Sequence, residues 1–244
     1  MNFPQSIIEK IKQKKELRGL ADDFVQKELE SYAKKNPHAS QKDIIKGVRA
    51  ELRKSTGRFN SGKRNKLLEE KNYEELLKTH ASTRERLPHY NVLKEIIKNL
   101  NPKSILDIGC GLNPIALATQ GIVYHASDIK QDELNLVKEF FRQNHIKGQV
   151  FYADARTERN FPQADVSLLL KIVDLLDKKG HKTAESLLSS LNCRHVIVSF
   201  STKTLSGRPM NHPQRGWIEH LAKRLGYTFT LVKTPNELFY LINK

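Results

Sequence analysis

Residues 104–113 read S-I-L-D-I-G-C-G-L-N, and few folds accept such a stretch. Ile105, Leu106, Asp107 and Ile108 suit a buried strand, and Gly109, Cys110 and Gly111 follow at once as a tight turn. Without β-carbons at 109 and 111 the backbone approaches a ligand closely and presents its N–H groups to it. Two later carboxylates stand at matching places. Asp128 ends the next apolar run (Ile122, Val123, Tyr124), 19 residues beyond Gly109, where a ribose-binding acid belongs. Asp154 closes the following run (Val150, Phe151, Tyr152). Three successive strand ends finishing in glycine or an acid describe a pocket along one edge of a parallel sheet. The competing reading is a plain α/β domain with chance turn glycines.

A dinucleotide site wants G-x-G-x-x-G, so that a helix N-terminus holds the pyrophosphate. Here Pro114 takes the last glycine's place. A G-x-x-x-x-G-K-[ST] phosphate cradle does not occur either. A nucleoside ligand without phosphates remains, bound by two acids and a short glycine turn, and S-adenosylmethionine fits that description.

The rest of the second half supports the sheet. Apolar runs at 104–108, 121–127, 149–153, 165–170 and 195–200 alternate with helical segments, the sign of parallel strands with crossover helices. Two strand-like runs, 227–233 and 237–242, are then separated only by Thr234, Pro235 and Asn236, which predicts a hairpin and an antiparallel strand. The expected fold is α/β, and by fold analogy an otherwise parallel sheet ending in an antiparallel C-terminal hairpin resembles the Rossmann-like sheet of class I S-adenosylmethionine-dependent methyltransferases. A small helical N-terminal domain precedes it.

That domain is expected to cover residues 1–79, with the cofactor-binding domain at 80–244. Ile7, Ile8, Ile11 and Leu17 predict an amphipathic helix from 4 to about 19. Phe24, Val25, Leu29 and Tyr32 predict a second over 22–35, stopped by Asn36 and Pro37. Ser40 with Asp43 resembles a capping arrangement ahead of a third helix bearing Ile44, Ile45, Val48 and Leu52. A further helix is expected at about 64–79, and another at 89–100 from Val92, Leu93, Ile96, Ile97 and Leu100.

Charge is concentrated in front. The formal net charge is +15; residues 1–103 hold 24 Lys and Arg against 14 Asp and Glu, and the remainder 18 against 13. The excess points to a polyanion, RNA above all, with a solvated lysine-rich surface as the bland alternative. Residues 42–66 are the basic centre, nine cations against two acids. Lys46, Arg49 and Arg53 share one helical face, and Arg58, Lys63 and Arg64 sit in or beside a glycine-containing loop where Phe59 has the shape to stack on a base. Such cations set register on an RNA without reading its sequence.

Cys110 and Cys193 stand far apart, without a C-x-x-C or a His-rich cluster, so neither a zinc site nor a disulfide framework is expected. Cys110 reads as a small packed side chain, since no base is placed beside it. The first residues, M-N-F-P-Q-S, do not read as a signal peptide, and no apolar run reaches membrane length. A cytoplasmic protein without a metal or a membrane, and a monomer, is expected. Residues 201–216, S-T-K-T-L-S-G-R-P-M-N-H-P-Q-R-G, leave the same sheet edge as the glycine turn and are expected to form a substrate loop that orders over RNA. A disordered insertion is the alternative.

Four segments together resemble one family. They are H-A-S-T-R-E-R-L-P (80–88), L-D-I-G-C-G-L-N-P-I-A-L (106–117), S-L-L-L-K (167–171) and S-F-S-T-K-T-L-S-G-R (199–208). They resemble the aminoglycoside-resistance 16S rRNA (guanine-N7) methyltransferases, which modify the decoding site of the small ribosomal subunit. The resemblance covers about residue 80 to the end. It implies that Arg84 partners the cofactor carboxylate, that Gly109, Cys110 and Gly111 line its methionine part, and that Asp128 holds the ribose hydroxyls. It further implies that Asp154 takes the adenine amino group and that Leu170 and Lys171 complete the pocket; Ile129 and Ala155, next to the two acids, are expected to touch the cofactor as well. Lys203, Arg208, Met210 and Arg215 would lie on the RNA side. The chain departs from the family pattern after Arg208, where Pro209 leads directly into Met210.

The chemistry is consistent with that implication. Guanine N7 carries an in-plane lone pair, so no general base is required and positioning alone supplies the catalysis. The fourth strand ends in Leu-Leu-Leu-Lys, without the Asn-Pro-Pro-aromatic run that suits exocyclic amines. Two alternatives stay open: a methyltransferase for another RNA site, and a cofactor-binding ribosome or RNA-binding factor with little turnover.

Overall fold

A computed structural model describes residues 3–56, 61–177, 180–204, 207–210 and 213–244. Helix α1 (Gln5–Lys12) is shorter than the expected helix to residue 19. The reason lies in the spacing. The positions three and four beyond Ile11 are Lys14 and Lys15, so the apolar stripe has nothing to bury there. A 3₁₀ turn over Lys15–Leu17 then carries Leu17 to full burial. Helix α2 (Asp22–Lys35) has the expected bounds, with two acids in its first turn and two lysines in its last, both favourable to the helix dipole. Before α3 (Gln41–Thr56), Ser40 Oγ accepts the Asp43 N–H at 3.2 Å and donates to its carboxylate at 2.6 Å, the expected cap. Apolar faces of these elements meet in one cluster built on Ile11, Leu17, Phe24, Val25, Leu29, Val48 and Leu52.

In place of one helix at 64–79 there are two, α4 (Ser61–Glu69) and α5 (Tyr73–Lys78). Lys71 turns left-handed (φ 54°) between them, and Asn72 restarts the helix by accepting the Glu75 N–H at 3.3 Å. Leu67, Leu68, Leu76 and Leu77 pack into the sheet's core, together with Leu93, Ile96 and Ile97 of a later helix. These four leucines thus join the sheet's core cluster and not the cluster of the N-terminal helices. The segment around S-T-R-E-R is itself helical, α6 (Ala81–Arg86), and a 3₁₀ turn at Leu87–His89 leads into α7 (Tyr90–Leu100).

Seven strands follow in one sheet. They are β1 (Ser104–Ile108), β2 (Val123–Asp128), β3 (Val150–Tyr152), β4 (Val166–Leu170), β5 (His195–Ser201), β6 (Thr228–Lys233) and β7 (Glu237–Asn243). Their order is β3-β2-β1-β4-β5-β7-β6. The first five are parallel, and β7 lies antiparallel between β5 and β6, so the expected hairpin is present. Helices α8 (Asn113–Leu117), α9 (Gln131–Gln143), α10 (Val173–Leu176), α11 (Lys182–Ser190) and α12 (Gly216–Arg224) complete the chain. Alternating side chains feed two cores, one on each face: Ile105 joins the first with α7 and α9, and Leu106 the second with α11 and α12. Strand order reverses direction at β1, between β2 and β4, and in such sheets the crevice at the carboxyl ends of those strands is where ligands bind.

Candidate active site

The glycine turn after β1 is held open by conformation. Gly109 and Gly111 have φ of +66° and +50°, and a β-carbon on Gly109 would lie 2.6 Å from Ile172 Cγ2, one on Gly111 2.9 Å from His80 Cε1. Cys110 N–H donates to the Ser127 carbonyl at 2.9 Å, which fastens the turn to β2. Gly111 N–H then donates to Asp128 Oδ2 at 2.9 Å, while Ile129 and Lys130 N–H donate to Oδ1 at 2.7 and 3.0 Å. Three amides thus orient a carboxylate only 7% exposed. Burial raises its pKa, and the neighbouring Glu133 adds to that, against the pull of Lys130 and the amides. Cys110 is fully buried and its thiol is pushed well up by burial, the state of a packing residue.

Asp154 stands beyond the end of β3, 4% exposed. Arg156 grips it with Nε to Oδ1 at 3.0 Å and Nη2 to Oδ2 at 2.9 Å. Burial pushes the Asp154 pKa up, but these bonds and the Arg156 charge outweigh it and leave it lowered. Ile129 and Ala155 stand half-buried next to the two acids. Leu170 ends β4 inside, and Lys171 turns left-handed (φ 60°), its N–H bonded to the Ser199 carbonyl and hydroxyl at 3.1 Å each.

The two arginines of S-T-R-E-R part company. Arg84 is exposed; its backbone N–H donates to the His80 carbonyl at 2.9 Å, and its guanidinium has no side-chain hydrogen bond or ion pair among the described residues. Arg86 is fully buried and bidentate to Glu237 at the start of β7, Nε to Oε2 at 2.9 Å and Nη2 to Oε1 at 2.5 Å. Its third bond, at 2.6 Å, reaches Asn113 Oδ1 in α8, which also accepts from Tyr90 OH at 2.8 Å. Lys171 Nζ binds Glu85 at 2.7 Å and lies 3.7 Å from Glu237. Helix α6 is so pinned over the edge between β4 and β7, with Arg84 left open to solvent. The sequence places Asp107 and Glu237 in strand runs without giving either a role in the site, although each is a lone acid in an apolar run. Asp107 is fully buried, pushed up to about 7 by burial; Tyr124 OH donates to its Oδ2 at 2.8 Å, and Oδ1 has no hydrogen-bond partner among the described residues.

The expected RNA residues scatter. Arg64 is corrected: it is 1% exposed, bonded through Nε to Thr79 Oγ1 at 2.8 Å and Nη2 to the Thr79 carbonyl at 2.9 Å, and 3.4 Å from the buried Glu133. It anchors α4 to α9 and has no surface to offer RNA. Around the same Glu133 stand Lys130 and His80 at 3.6 and 3.7 Å. Burial, then the Lys130 and Arg64 charges, holds His80 down to about 3. Arg49 spends its guanidinium on the Lys10 and Ile11 carbonyls, and Arg53 pairs with Glu16 at 2.7 Å. Arg215 pairs with Asp174 at 3.0 Å, stacks on Phe200 and lies 3.5 Å from Met210 Sδ, so its head is tied into the fold. Lys46, Lys63, Lys203 and Arg208 are exposed. Arg58 and Phe59 lie outside the described residues. The described residues of the loop after β5 pair with one another: Thr204 N–H reaches the Arg208 carbonyl at 2.8 Å, Lys203 bridges Pro209, and Met210 N–H returns to the Thr202 carbonyl at 2.8 Å.

A glycine turn at the switch point, a three-amide acid after it, a second acid beside that and an unpaired Arg84 fit S-adenosylmethionine. Sheet and site together define a class I S-adenosylmethionine-dependent methyltransferase. Comparison with known proteins narrows the class. A family model for ribosomal RNA methyltransferase (FmrO) matches residues 27–241, and the chain belongs to that family. A 16S rRNA (guanine(1405)-N(7))-methyltransferase of Serratia marcescens is 31% identical over 201 residues, 80% of this chain and 79% of that protein. One of the same name from Frankia casuarinae is 30% identical over 177 residues, 69% of this chain but only 62% of that protein, less than two thirds of its length. The crystal structure of 16S rRNA methyltransferase RmtF in complex with S-adenosyl-L-homocysteine matches with a TM-score of 0.82 at 27% identity, covering 98% of this chain and 97% of that one. Among the described residues no helix is long and apolar enough to cross a membrane.

Proposed function

We propose that the protein methylates N7 of a guanine in the decoding site of small-subunit rRNA. The observation that carries this reading is the joining of the glycine turn to Asp128 through the Gly111 N–H (2.9 Å), with Arg84 on α6 and the exposed Lys203 and Arg208 after β5 as its cationic surroundings. In this reading Asp128 accepts the ribose hydroxyls and Asp154 the adenine amino group. Gly109, Cys110 and Gly111 line the methionine part, Arg84 pairs with its carboxylate, and Ile129, Ala155, Leu170 and Lys171 form the walls. S-adenosylmethionine supplies an electrophilic methyl group on a sulfonium.

The chain's own residues hold donor and acceptor in line. Positioning of this kind is worth roughly 7–11 kcal/mol at its upper end. Guanine N7 attacks with its in-plane lone pair, so no side chain has to remove a proton first. Lys203, Arg208 and Met210 stand on the target side, while Lys46 and Lys63 present charge to RNA phosphates from the helices in front. N7 faces the deep, narrow groove of A-form RNA, so the target guanine must be irregular or flipped out. The protein acts in the cytoplasm, as a monomer, on the small subunit.

Labelled S-adenosylmethionine should transfer its methyl group to purified small subunits, and borohydride–aniline cleavage with reverse transcription should stop at one decoding-site guanine. Label without a cleavable site would discard N7. No incorporation into subunits or naked rRNA would overturn the enzymatic reading.

A further inference from the structure

Arg156 holds Asp154 with everything it has on that side. Its backbone N–H and Nε both donate to Oδ1 at 3.0 Å, and Nη2 donates to Oδ2 at 2.9 Å. The remaining arm, Nη1, reaches Glu28 in α2. The guanidinium carbon lies 4.7 Å from the centre of the Phe24 ring, one turn earlier on the same helix. One planar fork therefore grips a strand-end acid with one edge and the N-terminal helices with the other. Those helices meet the other acid's loop too: Gln131 N–H donates to the Gly19 carbonyl at 2.8 Å and Ala21 N–H to the Ile129 carbonyl at 3.4 Å.

Counting acceptors shows what this does to Asp154. Oδ1 receives two donors and is filled, whereas Oδ2 receives one and keeps a lone pair. With the residue 4% exposed, water does not blur that difference. We infer that Arg156 is a positioning residue for the cofactor: held by Glu28 and Phe24, it locks Asp154 so that Oδ2 alone is offered to the exocyclic amino group of adenine. This rests on the reading of Asp154 as the adenine acid. A locked acceptor suits the amino group and opposes a 6-oxo group in its place. An acceptor free to swing would also reach the N1–H of hypoxanthine and lose the distinction. The N-terminal helices thus set base selectivity at a pocket none of their side chains needs to enter.

The test uses the full chain and calorimetry with two ligands, S-adenosylhomocysteine and its deaminated analogue S-inosylhomocysteine. The native protein should prefer the adenine ligand by at least about tenfold, the scale of one hydrogen bond to a charged group. Arg156→Met and Arg156→Lys should both shrink that ratio to within about threefold of unity, because a lysine restores charge but not the fork. Glu28→Gln should shrink it in the same direction, and in methyl transfer each variant should raise KM for S-adenosylmethionine more than it lowers kcat. A lower melting temperature with the ligand ratio unchanged in Arg156→Lys and Glu28→Gln would overturn the inference. Asp154→Ala separates the two readings. If it abolishes adenine preference while the Arg156 variants keep it, positioning alone fails; if it leaves S-adenosylhomocysteine affinity intact, the adenine reading falls and this inference with it.

Discussion

Replacing Glu237 by glutamine preserves shape and removes one charge, and the structure says what that leaves behind. Arg86 is fully buried, with two of its bonds on Glu237 and one on Asn113. Without the carboxylate a guanidinium stays buried and uncompensated, which costs about 3–5 kcal/mol. In a chain of this size that is roughly 6–20 °C of melting temperature. Arg86→Met should cost less, because Glu237 then still has Lys171 at 3.7 Å and the Ser199 hydroxyl. The double variant Arg86→Met/Glu237→Met removes both charges together. Asn113 keeps Tyr90 and Ser199 keeps the Lys171 N–H, so its loss should fall to about 1–2 kcal/mol, below either single change. Urea unfolding followed by the fluorescence of Trp217, the one tryptophan, measures all three. If Glu237→Gln loses under about 1 kcal/mol, or the double variant loses the sum of the singles, the account of this ion pair is wrong.

Asp128→Ala should abolish measurable S-adenosylhomocysteine binding in calorimetry and also lower the melting temperature, since three amides lose their acceptor; unchanged affinity would remove the ribose assignment. Neutralising Lys46, Lys63, Lys203 and Arg208 together should weaken small-subunit binding and flatten its log–log salt slope by roughly 3, with cofactor affinity spared. Arg64→Met should instead act on stability, and a salt slope altered by that change would contradict its burial. Asp107 binds its proton more tightly folded than unfolded, so stability should fall as pH rises from 3.8 towards about 7 and stay down above it. Asp107→Asn should lose that slope, and urea midpoints at pH 5 and pH 8 read the difference directly.

What the chain discloses along its length follows the range of each interaction. The glycine turn, Asp128 and Asp154 are legible because strand, turn and acid are contiguous, and the β6–β7 hairpin because its turn is three residues. Helix α1 stops short because two lysines interrupt its apolar stripe, and the break at Lys71 carries no proline or glycine to announce it. Arg64 reads as one more surface cation in a basic run, since its partner Glu133 lies 69 residues away. Arg156 is hidden in the same way, with Glu28 128 residues off. Local spacing reports which face of a helix is apolar, but a buried cation is recognised only by a partner that folding brings to it.

Strand β7 lies between β5 and β6, so β6 has no neighbour in the sheet except β7. In the order of synthesis β5 therefore waits with an open edge through the loop, α12 and β6 before that edge is paired. Arg86, made 151 residues before Glu237, waits longer still for its counter-charge. A nascent chain stalled in that interval would expose a strand edge and a misplaced α6. Helix α6, which carries Arg84, is thus fastened through Arg86 by the last strand to join the sheet, so the two ends of the chain's second half close on one another only when that strand has been inserted.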